Sequence, residues 1–257
     1  MRAFYSVNFN ARQCRMRISV NGIPLLGLDV EGQCSSRYPF NDLLLESGMA
    51  TIKYEMLPLP GEVQLQKRAY LSCVVELFDK ESHSPRPIAT MAAYETPRDQ
   101  ETILPLMVHE TAFQVSVPYA VPGWKQSKKL DMPKDELRTL VLNKYNFLIA
   151  MLRNRSFAPF EQAFKEREDR MGVCFYLSEE EKRARMEDVR NDVQNSTSIP
   201  AITPLDILEF AADKRLVRLV KADGESSLRL LNEEAGEETY LELWLHMKQG
   251  SNDLTII

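Results

Sequence analysis

The hydrophobic period of this chain changes once, from two residues before Pro118 to about 3.6 after Pro133, and that change limits what each half can fold into. In the first half, Cys14, Met16, Ile18 and Val20 alternate with Arg15, Arg17 and Ser19, the pattern of a half-buried antiparallel strand. The run ends at Asn21-Gly22, a pair suited to the positive φ angles of a tight hairpin turn, and Ile23 to Val30 is the returning strand. Tyr5, Val7 and Phe9 open the series. Ile52, Tyr54 and Met56, then Ala69 to Leu77, Ile88 to Tyr94 and Phe113 to Val117 continue it. About seven short strands separated by turn residues predict a β-sandwich over 1–118.

Between Tyr119 and Met132 the chain carries Pro122, Gly123 and three lysines, a composition that interrupts a ladder and marks a linker over 119–132. The lysines Lys125, Lys128 and Lys129 fit solvated linker chemistry. Leu137, Leu140, Val141, Tyr145, Leu148, Ile149 and Leu152 then paint one face of a helix from about Pro133 to Arg153, with Asp135 and Glu136 near its positive end. A second helix spans Ala158 to Arg170. The capping-box spacing of Ser178 and Glu181 opens a third, poor in apolar residues and so a surface helix. Strands return at Leu216–Val220, Ser227–Leu231, Tyr240–Met247 and Leu254–Ile257, with Asp223-Gly224 as a turn. The expected fold class is therefore two-domain, an N-terminal all-β sandwich (1–118) plus a C-terminal α+β domain (133–257) in which helices are followed by an antiparallel curved sheet.

Asn41 to Gly48, the following strand and the Leu57 to Glu62 bend resemble small accessory sandwich domains of bacterial proteins, which implies a fold and no active site. The C-terminal element order resembles the cone-shaped fold of nuclear transport factor 2 relatives. In size, acidity and lack of catalytic motifs the whole chain is similar to bacterial immunity proteins, which neutralise a toxin by covering its active site.

Thirty-two basic against thirty-seven acidic residues give a formal charge of −5, which offers phosphate backbones and anionic lipid no global attraction. Nucleic acid is not the expected partner. No window approaches a membrane span, and the N-terminus lacks the apolar core of a secretory signal, so the expected location is cytoplasmic, or periplasmic if a signal was removed. Cys14, Cys34, Cys73 and Cys174 show no CxxC spacing and read as free thiols, with a Cys14–Cys73 bridge left open for an exported protein.

Glycine-rich phosphate loops and the GxSxG turn are absent, and Gly32 to Ser36, the nearest fragment, reads as a polar loop. His83, His109 and His246 have no metal-ligand spacing, so neither metal nor cofactor is implied. The constellation worth pursuing is Leu241 to Met247. Alternation puts Leu241, Leu243, Leu245 and Met247 on one face and Glu242, Trp244 and His246 on the other. If that second face is a surface, Trp244 is an interface anchor beside His246 and Glu242, with the acidic Glu237 and Glu238 able to meet a basic protein. If it lines a pocket, His246 and Glu242 form an acid–base pair of a small-molecule enzyme or carrier. The leading expectation is a non-catalytic protein-binding module, an immunity or inhibitor protein or an accessory protein of a bacterial toxin or secretion system. Its partner would be another protein.

Overall fold

The computed structural model describes residues 1–82, 84–97 and 104–257; His83 lies outside the described residues. Contacts group the chain into two compact units, Met1–Val121 and Pro122–Ile257.

The first unit is built on one long bent strand. β1 (Ala3–Val20) pairs along most of its length with β2 (Ile23–Pro39) through the Asn21-Gly22 turn, whose φ values of 51° and 73° are those the dipeptide was expected to supply. Its other edge changes partner. Ala3 to Arg12 pair with β4 (Tyr70–Asp79), and Arg15 to Val20 pair with β3 (Gly48–Leu57). Beyond these lie β5 (Ala89–Glu95) on β4 and β6 (Met107–Val115) on β3, all antiparallel, giving one six-stranded sheet. It nearly closes on itself. At the seam Tyr94 of β5 stacks on His109 of β6, ring centroids 4.3 Å apart, and the buried Tyr54 ring lies parallel to both.

Gln13 is the corner. Before it the buried apolar side chains of β1 are Ala3, Tyr5, Val7, Phe9 and Ala11; after it they are Cys14, Met16, Ile18 and Val20. A register shift between Arg12 and Cys14 moves the core face from odd to even numbers where the strand passes from β4 to β3. Two runs that read as separate strands are therefore one. Gln13 adopts φ 47°, a left-handed value that a side chain makes costly. Gln13→Gly is expected to stabilise the unit by about 0.5–1 kcal/mol, and Gln13→Val to destabilise it by about 1–2 kcal/mol, measured by urea denaturation.

β2 also runs past Val30, so Gly32 to Ser36 is strand rather than loop, with Gln33 to Ser36 paired with Phe9 to Arg12. Asn41, in a 3-10 turn over Asn41–Leu43, fastens the end of this hairpin: its side chain accepts from Tyr5 N at 2.6 Å and donates to Ala3 O at 2.9 Å. All four cysteines are free. Burial pushes the Cys14 thiol up to about 11 and the Cys73 thiol up to about 12, so both stay protonated at neutral pH.

In the second unit the helical period is realised as α1 (Lys134–Arg153), α2 (Phe157–Cys174) and α3 (Glu179–Asn195). α1 buries Leu137, Val141, Tyr145, Leu148, Ile149 and Leu152, the stripe expected from spacing. The capping box of α3 is present in both directions: Glu181 N donates to Ser178 Oγ, and Ser178 N to the Glu181 carboxylate. These helices share a core with an antiparallel sheet ordered β12-β11-β8-β7, where β7 is Ile207–Ala211, β8 Leu216–Val220, β11 Leu245–Met247 and β12 Leu254–Ile256. A separate pair, β9 (Arg229–Asn232) and β10 (Glu237–Tyr240), completes the strands.

Tyr240 to Met247 is accordingly two strands, not one. The side-chain alternation persists across the break, with Leu243, Leu245 and Met247 in the core, while the backbone changes partner from β9 to β8. No helix among the described residues is long and apolar enough to cross a membrane.

Candidate partner-binding surface

Arg218, the one charged residue of the apolar strand β8, organises the outer face of this sheet. It lies opposite Glu209 of β7 in register and donates to its carboxylate at 2.6 Å. A second guanidinium nitrogen donates to Glu242, and the guanidinium plane sits 4.6 Å from the centroid of the Trp244 ring. Arg218 is mostly covered by these partners, whereas Glu242 is exposed and Trp244 half-buried. Ion pairing to two carboxylates and cation–π contact together fix the indole and both carboxylates, so little side-chain freedom remains to be lost on binding.

Around this platform the charge is negative. Burial raises the Glu225 pKa, and Glu242 and Asp223 raise it further. The Tyr240 phenol is raised by burial and then by Glu238, Glu225 and Asp223. Glu237 is exposed at the start of β10, and Glu238 is paired with Arg229. On α3, Asp192 is raised by burial, by Asp188 and by Glu237. Carboxylates that raise the Glu225 and Asp192 pKa beyond the effect of burial mark a surface where added positive charge is favourable.

His246 is elsewhere. It is only 3% exposed, and Ser127 Oγ lies 2.7 Å from its Nδ1. Its Nε2 faces the Glu166 carboxylate of α2 at 3.6 Å, beyond hydrogen-bond reach, while Lys248 holds the other Glu166 oxygen at 2.5 Å. Burial lowers the imidazole pKa, Glu166 opposes that, and Lys248 and Arg170 lower it again, so the ring is neutral at physiological pH.

Alternation thus put Glu242, Trp244 and His246 on one face, but the structure separates their roles. Glu242 and Trp244 share Arg218 at the surface; among the described residues no hydrogen bond or ion pair joins Glu242 to His246. His246 is also withdrawn from the contact surface, because the 122–130 segment and α2 cover it. That segment, expected as a solvated linker, is fastened down: Lys128 donates to Ser251 O, and Lys129 pairs with Asp213.

Two shallow grooves run between α2 and α3, lined by residues such as Glu161, Glu168, Asp169 and Met186, and neither contains His246 or Trp244. Among the described residues no group of three His, Cys, Asp or Glu side chains is placed to hold a metal. Sequence reasoning missed Arg218, Ser127, Glu166 and Glu225. Arg218 alone had a local signal, a single charge inside Leu-Val-Arg-Leu-Val.

Comparison with known proteins finds no protein family, no curated protein and no solved structure that matches this chain.

Proposed function

We propose that this chain is a non-catalytic protein-binding module, with its two units acting as a β-sandwich domain and an α+β domain and the partner surface centred on Trp244. The observation that carries this reading is the Arg218 clamp, which holds a half-exposed indole between fixed carboxylates. Aromatic side chains held rigid at a surface are the usual anchors of binding energy. The acidic side chains around it, Glu225, Glu238 and Glu242, with the Glu225 pKa raised by burial and then by its acidic neighbours, suit a partner that presents lysine or arginine. A role as an immunity or inhibitor protein, or as an accessory protein of a bacterial toxin or secretion system, fits this surface and the net charge of −5.

The acid–base reading draws no support from the geometry. Glu242 is ion-paired with Arg218, and His246 is sealed beneath Ser127.

Affinity capture from host lysate with wild-type and Trp244→Ala protein, followed by mass spectrometry, tests the proposal. A stoichiometric protein is expected on wild type and lost on Trp244→Ala, a weakening of about 2–4 kcal/mol. Capture should also fall as salt rises. Equal recovery on both baits, or an unfolded Trp244→Ala protein, would count against an anchor at Trp244.

A further inference from the structure

Residues 122–130 lie along the four-stranded sheet as a strap. Lys128 N donates to Met247 O and Leu130 N to Lys214 O, each at 2.9 Å, and Arg215 donates to Ser127 O. Trp124, Ser127 and Leu130 are buried, with the Arg170 guanidinium 5.1 Å from the Trp124 ring centroid. One contact of the strap can change with pH within the physiological range, and that is Ser127 on His246.

The ring's surroundings define what a proton does there. Nε2 is buried, has no hydrogen-bond partner and faces a carboxylate oxygen of Glu166, which places the imidazole proton on Nε2. Nδ1 then accepts from the Ser127 hydroxyl. Proton uptake at Nδ1 reverses the pair: the imidazolium N–H donates to Ser127 Oγ, and the hydroxyl hydrogen, turned away from the ring, loses the acceptor it had in this buried site. The new charge meets Arg170 of α2 and Lys248 just past β11, both cations, while the favourable charge of Glu166 is already engaged by Lys248. Arg215, holding the Ser127 carbonyl, adds another cation on the strap side, and β12 offers only the neutral Thr255 in register.

We propose that the Ser127–His246 hydrogen bond is a proton-operated latch, which holds the 122–130 strap on the sheet when the imidazole is neutral and frees it when the imidazole is protonated. The helices and sheet beneath stay folded through the change. Linkage sets the sign. The folded imidazole titrates below its ordinary value, so closure is complete at neutral pH and weakens as pH falls through the free-imidazole range.

Hydrogen–deuterium exchange of the full chain between about pH 7.5 and about pH 5, corrected for intrinsic exchange rates, reads the latch directly. Peptides covering 122–130 should lose protection by about tenfold for each pH unit below the imidazole titration, at most, while α1 peptides keep theirs. His246→Asn supplies an acceptor that does not titrate, and its strap should stay protected at both ends of the range. Ser127→Ala cuts the contact and leaves the imidazole, so its strap should be unprotected already at the upper pH. Unchanged strap protection in acid, simultaneous loss in the strap and α1, an acid response in His246→Asn like that of wild type, or a fully protected strap in Ser127→Ala would each overturn the proposal.

Discussion

Asn41→Ala should lower the stability of the first unit by about 3–5 kcal/mol, among the largest effects available from one surface-remote polar side chain. Asn41 is fully buried and satisfies two backbone groups of β1 at once, accepting from Tyr5 N and donating to Ala3 O. Its amide also reaches the Tyr119 hydroxyl, which returns a hydrogen bond to Asn41 O. Alanine removes the acceptor of the Tyr5 N–H and the amide donor to the Ala3 carbonyl in a site closed to water, each loss costing about 1–3 kcal/mol. Asn41→Asp separates size from chemistry. It keeps the acceptor for Tyr5 but sets an oxygen against the Ala3 carbonyl, so it should be about as damaging as alanine. Hydrogen exchange of β1 and β4 peptides measures both, and an aspartate variant as protected as wild type would show that the donor to Ala3 is dispensable.

Asn41 also shows what a sequence displays and what it conceals. Its place in a turn before a strand was legible, because Asn, Leu and Gly occur there in turn-forming order; its role as a double backbone clamp was not, since Ala3 lies 38 residues away. The same division runs through the fold. Alternation exposed both halves of β1, but the bulge at Gln13 is written in a φ angle and not in hydrophobicity, so one strand looked like two. The second half of β2 was illegible for a different reason. As a sheet edge with little burial it carries polar residues on both faces, which removes the period that identifies a strand. The first helix of the second unit was clearest, because its place in the core demands a continuous apolar stripe, whereas α3, which buries Val193 alone, was legible from its capping box.

For the candidate surface, alternation correctly paired Glu242 with Trp244 but had no means of finding the cover over His246. Ser127 lies 119 residues earlier, in a stretch whose Pro, Gly and Lys content reads as linker until the sheet it rests on is seen. A strap and a linker share a composition. They differ in whether their few apolar residues, here Trp124 and Leu130, find a core.

Asp206→Ala is expected to cost the second unit about 3–5 kcal/mol at neutral pH and, through the same residue, to loosen the Trp244 platform. The Asp206 carboxylate is buried, accepting from Lys221 Nζ at 2.7 Å, Thr203 Oγ1 at 3.0 Å and Thr203 N at 3.1 Å. Alanine strands the mostly covered Lys221 ammonium and frees the turn that leads into β7, whose backbone Arg138 ties to α1. β7 in turn carries Glu209, the fixed partner of Arg218. Because much of the cost is the unpaired ammonium, adding Lys221→Met should recover part of it. Burial pushes the Asp206 pKa up, but Lys221 and Thr203 outweigh it and the net shift is downward. Its contribution is therefore complete above the unfolded-state value and is lost as pH falls through the lower folded-state value. Urea denaturation followed by tryptophan fluorescence, which reports this unit because Trp124 and Trp244 both lie in it, should show a constant gap between wild type and Asp206→Ala down to about pH 4 and a shrinking one below. A gap already closing between neutral pH and about pH 5 would mean that Asp206 is protonated in the folded protein and that Lys221 does not hold it as an ion pair.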